Sequence, residues 1–290
     1  MTSHTTGRAG MAEEKVVILG GKGMLGSDLA LACQQRQLNA AVLDLPDFDI
    51  TNEQHLYRAV RDAKVIINCA AYTNVEKAES ESELAYEVNA EAVGKLGSLA
   101  GEAGVWVLHI STDFVFDGKS DKAYIETDTP NPINTYGKSK LAGEQLLVES
   151  GCSCCIMRVE WTYGLSGNNF VTKLIDRAKA KGKLKVVDDQ FGSPTATAEV
   201  AGVICDFIQK KPEGLFHFAA AGCVSRFEMA KFIFDKLDIS VDLSSCKTSD
   251  YPSAAARPLN SRFCCDKIQS LLDEPIRRWQ EPLEEFLEQL

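Results

Sequence analysis

Short apolar runs rich in β-branched residues recur along the chain, and longer segments with a helical repeat separate them. The runs are 15–19 (KVVIL), 40–45 (AAVLDL), 64–69 (KVIINC), 105–111 (VWVLHIS), 154–159 (CCIMRV), 184–187 (LKVV) and 215–219 (LFHFA). They read as continuous apolar stretches, the pattern of parallel strands covered on both faces. Between them, SDLALACQQRQ (27–37), ELAYEVNAEAVGKLGSLAGEAG (83–104) and SKLAGEQLLVES (139–150) carry apolar residues at helical spacing. Strands that alternate with helices predict an α/β fold, here a Rossmann-type, doubly wound parallel sheet. After residue 220 the pattern turns mostly helical and irregular, with SDYPSAAARPLNS (249–261) as a polar loop. That predicts a smaller, mostly C-terminal lobe. The expected division is a disordered leader (1–12), a dinucleotide-binding domain (13–165, with 196–220 returning to it), and a lobe from 166–195 and 221–290.

The first strand runs into GGKGMLG (20–26), and the first helix follows. Glycines at 20, 23 and 26 let the backbone approach a pyrophosphate, and the free N–H groups of the helix start attract anions. The second strand ends at Asp44, 18 residues after Gly26, where a carboxylate can accept hydrogen bonds from ribose hydroxyls. The third strand runs into small residues, Ala70 and Ala71, which leave room for a cofactor across the strand ends. Asp44 repels a 2′-phosphate, so NADH is expected in preference to NADPH; Lys22 is the counter-argument, since it could reach that phosphate.

The fourth strand ends in ISTDFVFDG (110–118), and NPINTYGKSKLAGEQLL (131–147) follows. Pro130 and Pro132 keep the chain extended, and Asn134 or Thr135 can cap a helix. Tyr136 and Lys140 then lie one turn apart on one helix face. A nearby ammonium lowers a tyrosine's pKa, which makes Tyr136 a candidate proton donor to a carbonyl oxygen that receives hydride, with Thr112 as a second donor.

Composition removes several classes. The chain is 45% hydrophobic and 25% charged with a net charge of −10, and it has no basic stripe for nucleic acid. No apolar run approaches the roughly 18 residues that span a bilayer. Ten cysteines without an expected secretory signal point to a reducing compartment, the cytoplasm. CSCC (152–155) and CC (264–265) lack the spacing of a zinc site, so the cysteines are expected as small buried hydrophobes and no metal is expected. His109 and His217 lie inside apolar strands and are expected in the core.

The ordered set GGKGMLG, LPDFDIT, NCAAYTNVEKAE, YEVNAEAVGKLG, ISTDFVFDG, NPINTYGKSKLAGE, RVEWTYG, NNFV, KVVDDQFGSPT and ARPLNS resembles the dTDP-4-dehydrorhamnose reductase family of extended short-chain dehydrogenases/reductases. The resemblance implies NAD(P)H reduction of the C4 keto group of dTDP-4-dehydro-L-rhamnose to dTDP-L-rhamnose, or of a closely related sugar nucleotide, with the smaller lobe as the substrate-binding lobe. It implies Thr112, Tyr136 and Lys140 as the catalytic triad, and Asp113 and Trp161 as substrate contacts. The expected cofactor contacts are Gly20, Gly23, Met24, Leu25, Asp44, Ala70, Ala71 and Tyr72, together with Tyr136 and Lys140. Arg158 and Arg257 are candidates for ordering the substrate; ion pairs are the alternative for both.

The chain departs from the family pattern at three places. Asp28 stands where some members hold magnesium through a glutamate, Phe114 replaces a tyrosine, and Glu160 puts a possible negative charge near an anionic substrate. Other functions remain open on the same fold: a sugar-nucleotide epimerase or dehydratase, or a non-catalytic NAD(P)-binding regulatory subunit. A dehydratase uses a second carboxylate after Thr-Asp, and here Phe114 occupies that position. The expected state is a monomer or homodimer with a nucleotide-sugar substrate and no nucleic-acid or membrane partner.

Overall fold

Six parallel strands make the central sheet: β1 (Val16–Leu19), β2 (Ala40–Leu43), β3 (Val65–Asn68), β4 (Trp106–Thr112), β5 (Cys154–Val159) and β6 (Gly214–Phe218). They lie in the order β6-β5-β4-β3-β1-β2 in a computed structural model that describes residues 15–290. The expected leader, 1–12, lies outside the described residues. Leu19 at the end of β1 pairs with Leu43 of β2 on one side and Asn68 of β3 on the other. The strand order reverses around β1, which opens a crevice at the carboxyl ends of β1 and β3.

Five helices cover the sheet: α1 (Met24–Gln35), α2 (Glu53–Arg61), α3 (Ala92–Ala103), α4 (Thr135–Glu149) and α5 (Thr197–Lys210). The period of two along each strand splits its apolar run between two cores. Val16, Ile18, Val65, Ile67, Leu108 and Met157 face α1 and α5, where they meet Leu29, Cys33, Val200, Ile204 and Phe207. Val17, Leu19, Ile66, Val107 and Ile156 face the other way, onto Leu56, Val93, Leu96 and Leu147. Both faces are apolar because both are covered.

A separate core joins Val171, Leu174 and Ile175 of helix Phe170–Lys181 to Met229 and Ile233 of helix Arg226–Lys236 and to Leu283 and Phe286 of helix Gln280–Leu287. Ile268, Leu271 and Ile276 pack instead on the α1/α5 face of the sheet. Among the described residues, no helix is long and apolar enough to cross a membrane.

Two elements add detail that the sequence pattern did not carry. The run 184–187 is not in the main sheet. Its strand, Lys183–Val187, pairs in parallel with Asp242–Cys246, with Lys183 and Lys185 exposed and Leu184 and Val186 buried. That alternation belongs to a strand with one wet face. The helical segment 83–104 is continuous, but Ser82–Tyr86 passes through a π-helical turn at Glu87–Glu91 before α3. The turn carries the buried Asn89.

Candidate active site

Gly20 closes β1 with φ +72°, and a Cβ there would lie 2.6 Å from the backbone N and Cα of Ala70, just beyond β3. The two sides of the crevice therefore touch at a residue that only glycine satisfies. Gly23 caps α1 without a side-chain hydrogen bond, and the first turn holds no acidic residue. The N–H groups of that turn, at Met24 and Leu25, have no capping acceptor, which suits an anionic phosphate. At the end of β2 the Asp44 carboxylate accepts the Lys22 and Leu45 backbone N–H groups, each at 2.7 Å. The Lys22 ammonium donates to the Leu45 carbonyl at 3.0 Å. These residues fit the phosphate and ribose ends of a dinucleotide.

The chain past β3 is pinned from below. Ala70 donates its N–H to Asn68 Oδ1 at 3.1 Å. Tyr72 donates its N–H to Asn89 Oδ1 at 2.8 Å, and Asn89 Nδ2 donates to the Tyr72 carbonyl at 3.1 Å and to Ser139 Oγ at 3.0 Å. Asn89 thus ties the 70–72 segment to α4. Its only signal in the sequence is a polar residue among apolar helical positions. The Tyr72 hydroxyl is turned to Glu81.

Thr112 ends β4, and Asn134 caps α4 by accepting the Gly137 N–H at 2.8 Å. This places Tyr136 and Lys140 on the first turns of α4, beside Thr112. Thr112 Oγ1 donates to Asp113 Oδ1 at 3.0 Å and accepts the Phe114 N–H at 3.2 Å. Burial pushes the Tyr136 phenol up to about 12, against a hydrogen bond shared with Thr112; the Asp113 carboxylate adds to the rise. Lys140 is buried, donates to the Ile110 carbonyl at 2.7 Å, and sits 3.1 Å from His109 Nε2. Its burial lowers it to about 8. The expected lowering of the tyrosine by the lysine is therefore not found: desolvation dominates at Tyr136, and Lys140 is directed to β4. The Phe114 ring packs edge-on against Tyr136, with centroids 5.6 Å apart.

The opposite wall centres on Trp161, whose φ of +46° is rare for so large a side chain. A Cβ on Gly192 would meet its ring at 2.6 Å and Glu160 Oε2 at 2.7 Å, so the indole needs that glycine. Arg226 lies over the indole, its guanidinium carbon 3.4 Å from the indole centroid and 4.6 Å from that of Phe170. Burial lowers the Arg226 pKa, while Asp113 and Glu160 hold the charge in place. The sequence reading missed Arg226, which looks like an ordinary polar position at a helix start.

Glu160 is buried and accepts the N–H groups of Ser193 at 3.0 Å and Phe263 at 3.2 Å. Its oxygens are directed at backbone donors, with Arg226 as the nearby cation. Asp113, also buried, accepts the Ser261 hydroxyl. The two candidate arginines part company. Arg257 donates to Glu76 at 2.6 Å, and its Nη1 is buried without a hydrogen-bond partner among the described residues. Arg158 is held by Glu144, with Nε at 2.9 Å from Oε1, and its Nη1 is 3.4 Å from His217 Nε2. Asp28 accepts the Thr197 hydroxyl.

A glycine turn at the switch point of a parallel sheet, facing a threonine, a tyrosine and a lysine from the next strand and helix, defines an NAD(P)-dependent oxidoreductase of the extended short-chain dehydrogenase/reductase type. The family model described as RmlD substrate binding domain matches residues 14–290. The chain is 37% identical to the dTDP-4-dehydrorhamnose reductase of Aggregatibacter actinomycetemcomitans, over 93% of this chain and 97% of the relative. It is also 37% identical to the enzyme of that name from Salmonella typhimurium, over 91% and 94% of the two chains. The chain belongs to the dTDP-4-dehydrorhamnose reductase family. Among solved structures, the Bacillus anthracis dTDP-4-dehydrorhamnose reductase in complex with NADP superposes with a TM-score of 0.92 at 36% identity, over 96% of this chain and 100% of that one. The Clostridium acetobutylicum protein gives 0.90 at 36% identity, over 95% and 99%.

Proposed function

We propose that the protein reduces the C4 keto group of dTDP-4-dehydro-L-rhamnose to give dTDP-L-rhamnose. The observation that carries this reading is the half-buried Tyr136 phenol beside Thr112, a protonated donor whose pKa desolvation pushes up to about 12. A phenol in that state is a proton donor in wait. The glycine turn, Asp44 and the 70–72 segment would hold NAD(P)H, which supplies hydride to the carbonyl carbon. Negative charge then grows on the carbonyl oxygen, where Tyr136 donates a hydrogen bond and gives its proton, and where the Thr112 hydroxyl donates once it turns away from Asp113.

In this reading Asp113, Trp161 and Arg257 border the sugar nucleotide, Arg226 joins them, and the lobe from 166–195 and 221–290 closes over it. Arg158 is an internal tie and no substrate contact. The cofactor is NADH in preference to NADPH, because Asp44 stands where a 2′-phosphate would come and Lys22 is drawn to the Leu45 carbonyl. The enzyme works in the cytoplasm as a monomer or homodimer. A dehydratase is disfavoured because Phe114 puts a ring where that reaction needs a carboxylate, and a purely regulatory role because the donor array is intact.

The test is incubation of the purified protein with reduced cofactor and dTDP-4-dehydrorhamnose. Oxidation of the cofactor with equimolar dTDP-L-rhamnose is expected. Cofactor that stays reduced while the sugar is epimerised or dehydrated would refute the reading.

A further inference from the structure

Glu76 sits on a short helix, Val75–Ala78, which Asn74 caps by accepting the Lys77 N–H at 3.1 Å. Its carboxylate gathers four donors from the polar loop 249–261. Oε1 accepts the Ser253 hydroxyl at 2.7 Å and Arg257 Nη2 at 2.6 Å. Oε2 accepts the N–H groups of Ala254 at 2.8 Å and Ala255 at 3.2 Å. Two backbone donors fix the path of the loop, and the guanidinium is fixed with it.

The same loop is tied to the helix that carries Tyr136. Asn134, the N-cap of α4, donates Nδ2 to the Ala256 carbonyl at 2.8 Å while its Oδ1 accepts the Gly137 N–H. Glu79, one turn on from Glu76, accepts the Thr135 N–H at 2.7 Å. Segments 74–79, 134–137 and 253–257 are far apart in sequence and hold one another in space.

Within this clasp Arg257 is only half engaged. Nη2 is bonded to Glu76, and Nη1 is buried without a hydrogen-bond partner among the described residues. A buried N–H without an acceptor costs free energy, so Nη1 is a donor in need of one. Arg226 lies within its electrostatic reach: burial lowers the Arg226 pKa most, Asp113 opposes this, and the charge of Arg257 adds to the lowering. Two guanidiniums near Asp113 and Trp161 suit an anionic ligand.

We propose that Glu76 is a positioning residue that holds Arg257, with the loop 253–257 that carries it, so that Nη1 meets the sugar nucleotide already ordered. The inference rests on reading Arg257 as a border of the sugar-nucleotide site, and it names the residue that sets the arginine's orientation. A guanidinium fixed beforehand loses little rotamer freedom on binding, which is worth roughly three- to tenfold in affinity.

Equilibrium binding of dTDP-L-rhamnose to the protein loaded with oxidised cofactor tests this without turnover. Glu76→Gln sets an NH2 group against two of the four donors, so Kd should rise roughly three- to tenfold. Arg257→Met should weaken binding at least as much. In that background Glu76→Gln should add less than about twofold, because Glu76 acts through the arginine. Cofactor affinity should stay native in both variants. An unchanged Kd in either single variant would overturn the proposal, as would the full loss repeated in Arg257→Met. A parallel loss of cofactor affinity in Glu76→Gln would also overturn it, since Glu76 would then be a support of the fold alone. Should Glu76→Gln not fold, Glu76→Asp takes its place: its shorter arm cannot reach all four donors, and the same shift and the same double variant decide. A native protein that does not bind dTDP-L-rhamnose refutes the reductase reading and this inference with it. Native binding that Glu76→Gln leaves unchanged refutes this inference alone.

Discussion

Arg226 lies flat on Trp161, with its guanidinium carbon 3.4 Å from the centre of the indole. The contact holds a strained tryptophan against Gly192 and sets a cation near two buried carboxylates, Asp113 and Glu160. A stacked, partly buried cation–π contact is worth about 1–2 kcal/mol. Arg226→Gln should raise KM for the sugar nucleotide by roughly tenfold, with a smaller effect on kcat. Arg226→Lys keeps the charge but not the planar stack, so it should rescue only in part. Steady-state kinetics at saturating cofactor checks this; an unchanged KM in Arg226→Gln would remove Arg226 from the site.

The Arg158–Glu144 pair should govern stability and leave substrate affinity alone. Both side chains are nearly inaccessible, at 3% and 6% exposure, so removing one charge strands the other. Breaking such a pair costs about 3–5 kcal/mol. Glu144→Gln and Arg158→Met should each lower the urea midpoint strongly, and the folded fraction should keep a near-native KM. A raised KM at native stability would return Arg158 to the substrate.

Lys140 gives the fold a pH dependence. Its pKa is lowered from 10.5 to about 8 by burial, so the unfolded chain binds the extra proton between those values. Its contribution to stability is then full above about pH 10.5 and is lost as pH falls through about 8. Lys140→Met removes this linkage. The variant should gain stability over the native protein below pH 8, on the order of 3 kcal/mol, and the gain should shrink toward pH 10. Denaturation curves across that interval check it; a constant difference would contradict the assignment.

Asp44 should set the cofactor preference. Its carboxylate is anchored by two backbone N–H groups at the end of β2. The native enzyme should have the higher kcat/KM with NADH, and Asp44→Ala should narrow or reverse that preference, chiefly through KM. A tenfold native advantage for NADPH would contradict the reading.

The central sheet was legible because each strand is apolar toward both cores; the glycine turn and the Tyr136/Lys140 spacing lay in order around it. What escaped depended on partners distant in sequence. Asn89 reads as one polar position in a helix, and only the π-helical turn aims it at Tyr72 and Ser139. Glu160 reads as a charge beside the substrate, whereas its oxygens meet N–H groups 33 and 103 residues away. The helical spacing of Tyr136 and Lys140 placed them on one face, but spacing says nothing of desolvation, which sets both pKa values. Lys183–Val187 was legible as a strand, whereas its partner, Asp242–Cys246, lies in a mostly polar stretch and was not.

The most direct test of the account is turnover by Tyr136→Phe with reduced cofactor and dTDP-4-dehydrorhamnose. The change keeps the ring against Phe114 and removes the hydroxyl that shares a hydrogen bond with Thr112. Loss of a positioned general acid costs roughly 10²–10⁴-fold, and kcat should fall by that factor while cofactor affinity stays near native. A variant that reduces the keto sugar at close to the native rate would mean that the proton comes from elsewhere and that Tyr136 is not the donor.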